Sequence, residues 1–431
     1  MNNCLKQFCY ALVIMLGTIT YGTIMCYPSP TGKEIRSAHH LAEDSFKWSF
    51  YNAISSLFAI SGHFITSLLL HLLSNSRKKV VFTGACLGTA IWLLNCLTKI
   101  NIWAGIAIRA LIGVIMGIFS SISSIYLIEI APKGRKGTFA CLGQIGFVIG
   151  LILFDFLGPS LSYMQLNYIG AAICALQASL IWLIEESPQV ANINIIEKLQ
   201  SNQPHKKFDY KLLCKKDNVI GIIFGVLMML FQQFCGINAI LTNLADLLSK
   251  SGLNIDGNYQ AGISSCSQII SIFIGVFILD KIGRKITWII SCAMIVAFLL
   301  VFALCIKYDL SNSLPLICIF LYQLGFGLGV DLIPWFVIPE YFNDDARSPA
   351  MMIVVSSYWI FAFIIILLWP AMKKSMGLFG LLLFYMFIAV TAIVFGIFNI
   401  SEPTQYENFG KDEQKKDGEE ETSDEIDPEA L

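Results

Sequence analysis

Long apolar stretches dominate the chain, and each is close to the length that crosses a lipid bilayer. Twelve can be read along the 431 residues, six on each side of a polar stretch at 185–216. They lie near 5–27, 46–73, 80–99, 103–130, 138–157 and 165–184, and then near 217–245, 260–279, 286–306, 313–338, 350–370 and 377–400. About 20 apolar residues make one helical crossing. Because lipid offers backbone groups no partners, each stretch predicts a transmembrane helix.

Composition supports a membrane protein and excludes several other classes. Hydrophobic residues make up 56% and charged residues 14%, against about 45–50% and 25% in soluble domains. The net charge of −1 gives no basic surface for nucleic acid. No phosphate-binding loop, catalytic triad or metal-ligand spacing is present, so we expect no enzyme activity, cofactor or metal site.

The connecting loops differ in charge between the two sides of the membrane. Loops 74–79, 131–137, 185–216, 280–285 and 341–349 hold sixteen Lys and Arg residues, and the opposite loops hold eight. The excess predicts that the first set is cytoplasmic, with both termini on that side. The predicted domains are a six-helix bundle at 1–184, a linker with short helices at 185–216, a second bundle at 217–403 and a disordered acidic tail at 404–431.

The two halves resemble each other, which predicts a pseudo-symmetric pair of bundles. A basic cluster follows the second stretch at 76–78 and the eighth at 283–285, and an acid lies near the end of the fourth and tenth stretches at Glu129 and Glu340. Repeats of this kind place a substrate site at the midplane between the halves. We hypothesise that these charges pair across the halves and latch the cytoplasmic side shut. The alternative explanation is the usual excess of basic residues in cytoplasmic loops. It accounts for the basic clusters but not for Glu129 and Glu340.

Six motifs, each after the expected stretch, resemble the sugar porter family of the major facilitator superfamily. They are Gln-Gln-Phe-Cys-Gly-Ile-Asn-Ala at 232–239, Asp-Lys-Ile-Gly-Arg-Lys at 280–285, Ile-Pro-Trp at 333–335 with Pro339, Glu340 and Arg347, Glu-Ile-Ala-Pro at 129–132, Arg109 with Gly113, and Glu-Ser-Pro at 186–188. The resemblance implies twelve helices in two bundles and transport of a monosaccharide, glucose-like, by a monomer in the plasma membrane. A polyol or disaccharide carrier and a non-transporting sugar receptor remain alternatives.

Amide side chains suit a sugar because an amide, like a sugar hydroxyl, can donate and accept hydrogen bonds. The resemblance, with this chemistry, implies a set of substrate-binding residues: Gln144, Gln232, Gln233, Asn238, Gln268, Asp331, Trp335 and Trp359. Hydrogen bonding between helices or core packing is the alternative for each. We expect Gln232 and Gly236 to share one helix face, with Gly236 allowing either a bend or the close approach of a neighbour.

The same resemblance implies a set of residues for the cytoplasmic latch: Arg77, Glu129, Lys136, Glu186, Asp280, Arg284, Glu340 and Arg347. The first basic cluster lacks the acid and the glycine that its counterpart has at Asp280 and Gly283. One side of the predicted latch should therefore be weaker.

Asp331 is the most distinctive departure from the family pattern. A carboxylate in an apolar run costs roughly 2.5–3.5 kcal/mol on insertion, so it should face water or a partner. Relatives carry an acidic sugar contact one turn earlier, at Gly327, which we expect to share a helix face with Asp331. Asp331 is therefore predicted to accept from a sugar hydroxyl, with proton binding or a structural ion pair as alternatives.

Proton coupling is the less favoured mechanism. Relatives coupled to protons carry an acid in the first span that pairs with the Arg at position 109, and the first span here, 5–27, has none. Arg109 and Asp331 are the coupling candidates, with Asp155 a weaker one, and His63 is assigned a structural role. We therefore predict facilitated diffusion.

Overall fold

The computed structural model describes residues 3–132, 135–190, 210–249, 252–310 and 312–400, and within them the secondary structure is helical. The first half contains α1 (Asn3–Cys26), α2 (Pro28–Ala38), α3 (Phe46–Leu72), α4 (Arg77–Leu94), α5 (Ile102–Ile130), α6 (Lys136–Leu157) and α7 (Tyr163–Leu180). The second half contains α8 (Lys216–Phe234), α9 (Ile237–Thr242), α10 (Leu244–Leu248), α11 (Gly257–Ile282), α12 (Arg284–Tyr308), α13 (Leu314–Leu328), α14 (Ile333–Val337) and α15 (Asp344–Asn399).

The long helices account for the twelve predicted crossings. Within the described ranges, ten helical segments are long and apolar enough to span a membrane. The last, at 346–399, has 54 residues and a non-helical break at Gly377, so it supplies two crossings. Helix α11 is the twelfth crossing. With 26 residues it is about 39 Å long, which exceeds the roughly 30 Å hydrocarbon core. The chain is an all-α membrane protein, as the sequence predicts.

Buried apolar side chains form two clusters among the described residues. The first is drawn from residues 11–184 and takes in Ile272, Trp359 and Ala362 from the second half. The second is drawn from residues 224–400 and takes in Ala53 from the first. The exact domain bounds stay a prediction, and residues 191–209 and 401–431, which hold most of the predicted linker and the acidic tail, lie outside the described residues.

Two seams join the halves. Helix α3 packs against α15, and α6 packs against α11. We call the face that carries residues 73–76, 131–132 and 341–343 the basic side, and the face that carries residues 39–45 and 158–162 the opposite side. Successive long helices run alternately between these faces, so each connection within the described residues lies on one of them.

Candidate functional site

Two helices of the second half are interrupted near the middle of the bundle. Helix α8 ends at Phe234, and Gly236 takes φ 94° before α9 begins at Ile237. Helix α13 ends at Leu328, and four residues pass before α14 begins at Ile333. Interrupted helices at membrane depth are tolerated where the freed backbone lines a cavity.

These breaks correct two predictions of shared helix faces. Gln232 and Gly236 do not lie on one face, because α8 ends between them. Gly327 and Asp331 are separated in the same way, because α13 ends at Leu328. The bend at Gly236 is present as expected.

Gly327 has no room for a side chain. A Cβ atom there would lie 2.0 Å from Ser271 Oγ, on the neighbouring helix α11. An acid at this position would therefore collide with α11, while the break that follows carries Asp331 into the cavity instead.

A cavity of about 620 Å³ lies between the two halves. It reaches the basic side, because its wall includes residues near the ends of α5, α6 and α15 on that side, such as Ile128, Ala140 and Ser348. Six of the eight predicted substrate residues line it: Gln144, Asn238, Gln268, Asp331, Trp335 and Trp359. Gln232 and Gln233 are buried behind this wall.

The Asp331 carboxylate joins the two halves at the cavity. Gln144 of α6 donates from Nε2 to Asp331 Oδ2 at 2.8 Å. Gln232 of α8 donates from Nε2 to the Asp331 carbonyl at 3.2 Å and to its Oδ1 at 3.4 Å. The described contacts of this carboxylate are thus amides, and no ion pair is among them. Neutral donors of this kind are groups that a sugar hydroxyl can replace.

A second amide pair lies beside the first. Asn238 Nδ2 donates to Gln233 Oε1 at 2.6 Å. Among the described residues, Gln232 Oε1 and Gln233 Nε2 are buried without a hydrogen-bond partner. A buried polar atom without a partner costs about 1–3 kcal/mol, so these two atoms are candidates for a hydrogen bond to a ligand hydroxyl or water.

A third amide pair includes a residue that the sequence analysis missed. Gln268 Nε2 donates to Gln323 Oε1 at 2.9 Å, and Gln323 Nε2 donates to Ser264 Oγ at 3.3 Å. Gln323 is fully buried in α13. An amide inside an apolar span was the signal that could have found it, because such a group needs a partner.

Aromatic rings form one wall of the cavity. Trp359 packs edge-on against Tyr358 at 4.9 Å between ring centroids and against Tyr21 at 6.0 Å. Trp335 adds a further edge contact to Tyr358 at 5.7 Å. Such rings offer large, rigid apolar faces that can cover the apolar face of a sugar. His63, for which the sequence predicts a structural role, also lines the cavity.

On the basic side, the predicted latch residues pair within each half. Arg77 donates from Nε and Nη2 to the two carboxylate oxygens of Glu129 at 2.9 and 2.8 Å. Glu186 accepts from the Arg77 backbone N–H at 3.1 Å and from Ser76 Oγ, and so caps the start of α4. Pairing across the halves stays a prediction for a state in which the basic side is closed.

The second half repeats this arrangement. Arg284 donates from Nη2 to Glu340 at 2.8 Å, and Arg347 donates from Nε to the Pro339 carbonyl at 3.0 Å. Lys136 is exposed at the start of α6. The side chain of Asp280 lies outside the described residues.

Arg109 is buried away from the cavity and stacks between two tyrosines. Its guanidinium lies 5.5 Å from the ring centres of both Tyr27 and Tyr51. Nη2 donates to Ser55 Oγ at 3.2 Å and Nη1 to the Ile24 carbonyl at 3.4 Å. The partners described for this cation are therefore rings, a hydroxyl and a carbonyl rather than an acid.

On the opposite side, ion pairs cross between the halves. Arg36 of α2 pairs with Asp246 of α10 at 2.8 Å. Glu43 and Asp44 pair with Lys373 and Lys374 at 3.5 and 3.2 Å. These ion pairs hold the two halves together on the opposite side, while the cavity reaches the basic side. An arrangement of this kind exposes a central site to one face at a time.

Comparison with known sequences connects this geometry to characterised proteins. Residues 18–191 and 185–407 match the sequence family described as "Sugar (and other) transporter". The facilitated trehalose transporter Tret1 of Bombyx mori is 26% identical over 92% of this chain and 84% of its own length. Trehalose transporter 1 of Drosophila melanogaster is also 26% identical, and this chain spans about half of it, 50%.

Solved structures share the fold. The inward open conformation of the xylose transporter XylE from E. coli superposes with a TM-score of 0.77 at 18% identity, over 92% of this chain and 97% of that one. The crystal structure of a D-xylose-proton symporter superposes with a TM-score of 0.77 at 19% identity. The match covers 92% of this chain and 98% of that one. At such identity the likeness concerns the fold alone.

Proposed function

Because the chain belongs to the sugar transporter family of the major facilitator superfamily, we propose that it carries a neutral sugar across the membrane by alternating access. The transport we propose is facilitated diffusion, and members of this family are transporters rather than enzymes. The observation that carries this proposal is the cavity between the halves, open to one side and closed to the other. Its amides and carboxylate come from both halves, so a sugar bound there touches both moving parts. A ligand shifts the equilibrium between two states only by its differential affinity for them.

The excess of basic residues on the open side supports a cytoplasmic assignment for that side. The conformation described here is then inward-open, with both termini cytoplasmic. We place the carrier in the plasma membrane and expect it to work as a monomer, because each chain encloses its own cavity.

Facilitated diffusion is favoured over proton symport by the surroundings of the two charged candidates. Arg109 stacks on tyrosines, and Asp331 accepts from amides, so protonation of Asp331 would break no described ion pair between the halves. Proton symport is the alternative to be tested, because a solved structure with the same fold is a proton symporter. In proteoliposomes, we expect an inward proton gradient to leave sugar uptake at equilibrium with the outside concentration. Accumulation above that level, abolished by an uncoupler and by Asp331→Asn, would establish symport.

For the substrate, we propose a monosaccharide of the glucose type, with a disaccharide as the second candidate. The trehalose transporters among the relatives are the reason for the second candidate. The cavity volume of about 620 Å³ does not distinguish the two sugars, since ligand pockets span about 300–1,000 Å³. Uptake of labelled glucose and labelled trehalose, each competed with hexoses, pentoses, polyols and the other sugar, decides between them. Binding without uptake of either sugar would instead indicate a receptor.

A matched pair of glutamines tests the site itself. Gln144 lines the cavity, whereas Gln177 is fully buried in α7 and donates to the Ile14 carbonyl of α1. We expect Gln144→Leu to raise KM by roughly 2–10-fold, as for loss of one hydrogen bond to a neutral sugar hydroxyl. Gln177→Leu removes an amide that does not line the cavity and should leave KM unchanged. Equal KM values for the two variants would place the sugar elsewhere.

A further inference from the structure

His63 of α3 makes a hydrogen bond across the seam between the halves. Trp359 of α15 donates from Nε1 to His63 Nε2 at 2.7 Å. An indole N–H only donates, so His63 Nε2 must accept, and the imidazole proton resides on Nδ1. On its other edge His63 Nδ1 then donates to Ser121 Oγ, which donates in turn to the Gly117 carbonyl at 2.8 Å.

This chain of hydrogen bonds determines the orientation of the indole. Trp359 is 2% exposed and belongs to the apolar cluster of the first half, although α15 belongs to the second. The described partner of its N–H is His63, and Ser121 holds the imidazole from helix α5. The aromatic wall that faces the cavity is therefore positioned by a polar contact from the other half.

We propose that His63 is a positioning residue for sugar binding, which acts through Trp359 by holding the indole face toward the cavity. The expected effect on KM rests on the proposed transport function. The positioning of the indole does not, because it is a property of the protein without sugar. Because the bond crosses the seam, it also couples the orientation of the cavity wall to the relative position of α3 and α15.

The first test measures transport. His63→Leu keeps comparable volume and removes the acceptor, whereas His63→Gln keeps an acceptor for the indole. With labelled glucose and labelled trehalose, we expect His63→Leu to raise KM about tenfold, as for one lost buried hydrogen bond, with a smaller change in kcat. His63→Gln should restore most of the affinity. In a Trp359→Phe background, His63→Leu should add nothing, because the group it positions is gone.

The second test needs no sugar. The contribution of Trp359 to fluorescence is obtained by subtracting the spectrum of Trp359→Phe from that of the intact protein. We expect this contribution to be weakly quenched by acrylamide in the native protein and in His63→Gln, and more strongly quenched in His63→Leu. If His63→Leu does not reach the membrane, His63→Asn serves in its place, because its shorter amide does not reach the indole.

Unchanged quenching in His63→Leu or His63→Asn would overturn the positioning role. A His63→Gln variant as impaired as His63→Leu would do the same, because the acceptor would then be irrelevant. If the quenching changes as expected but the native protein transports neither sugar, the proposed function fails while the role of His63 stands.

Discussion

Removing Asp246 should shift the protein toward a state that is open on the opposite side. The Arg36–Asp246 pair joins α2 to α10, and its side chains are 9% and 18% exposed. These two elements must separate when the opposite side opens, so the pair stabilises only the closed arrangement. Breaking a fully buried ion pair costs about 3–5 kcal/mol and an exposed pair contributes about 0–1 kcal/mol. For this intermediate burial we expect about 2 kcal/mol, which is roughly a 30-fold change in the equilibrium constant.

The assay is the labelling of a cysteine that the closed state hides. Thr242 is 3% exposed at the end of α9. The next residue, Asn243, lines a pocket on the opposite side together with Arg36 and Asp246, and Thr242→Cys is close to isosteric. A membrane-impermeant maleimide applied to that side should label this cysteine about 30-fold faster when Asp246→Ala is added. The same protein without the Thr242→Cys change supplies the background from native cysteines.

Two controls separate the ion pair from a general loosening of the structure. The exchange Arg36→Asp with Asp246→Arg keeps opposite charges and should return labelling close to its slow rate. Lys374→Ala removes a partner whose side chain is 75% exposed and should change the rate less than about fivefold. Unchanged labelling in Asp246→Ala would refute the reasoning.

Two further predictions concern stability. Gly236→Ala should lower the apparent melting temperature and the yield of folded protein, because its Cβ would lie 2.4 Å from the ring of Tyr385; Gly377→Ala is the control, since Gly377 also has a positive φ but nothing within 4 Å of an added Cβ. Equal losses in thermal-shift measurements would assign the effect to the backbone rather than to the contact. Arg77→Ala should destabilise the protein by about 3 kcal/mol, because it leaves the 7% exposed Glu129 carboxylate without its cation; a melting temperature equal to that of the native protein would contradict this.

The twelve crossings could be predicted from the sequence because hydropathy and backbone satisfaction in lipid act within each segment. The bend at Gly236 was also predictable, since a glycine beside two amides in an apolar span has few other uses. The break at 329–332 was not predicted. Its signals were local, with Gly325, Gly327 and Gly329 preceding Pro334, but an apolar run hides them when only its hydropathy is considered.

Contacts between distant segments were the least predictable part of the site. Arg36 and Asp246 belong to short helices on different halves, and no pattern in either segment identifies the other as its partner. His63 was interpreted as structural because a lone histidine in a span usually satisfies itself locally. Its role follows only from the seam between α3 and α15, which brings Trp359 within 2.7 Å.

The hydrogen bond from Gln144 to Asp331 occupies the two groups that, in the proposed function, bind the sugar. These groups bridge the two bundles at 2.8 Å, and each can bind a hydroxyl. An incoming solute must displace that bridge, which lowers its apparent affinity. For the facilitated mechanism proposed above, this bond keeps the Asp331 carboxylate hydrogen-bonded while the carrier reorients without sugar, so net flux needs no second solute on the return step.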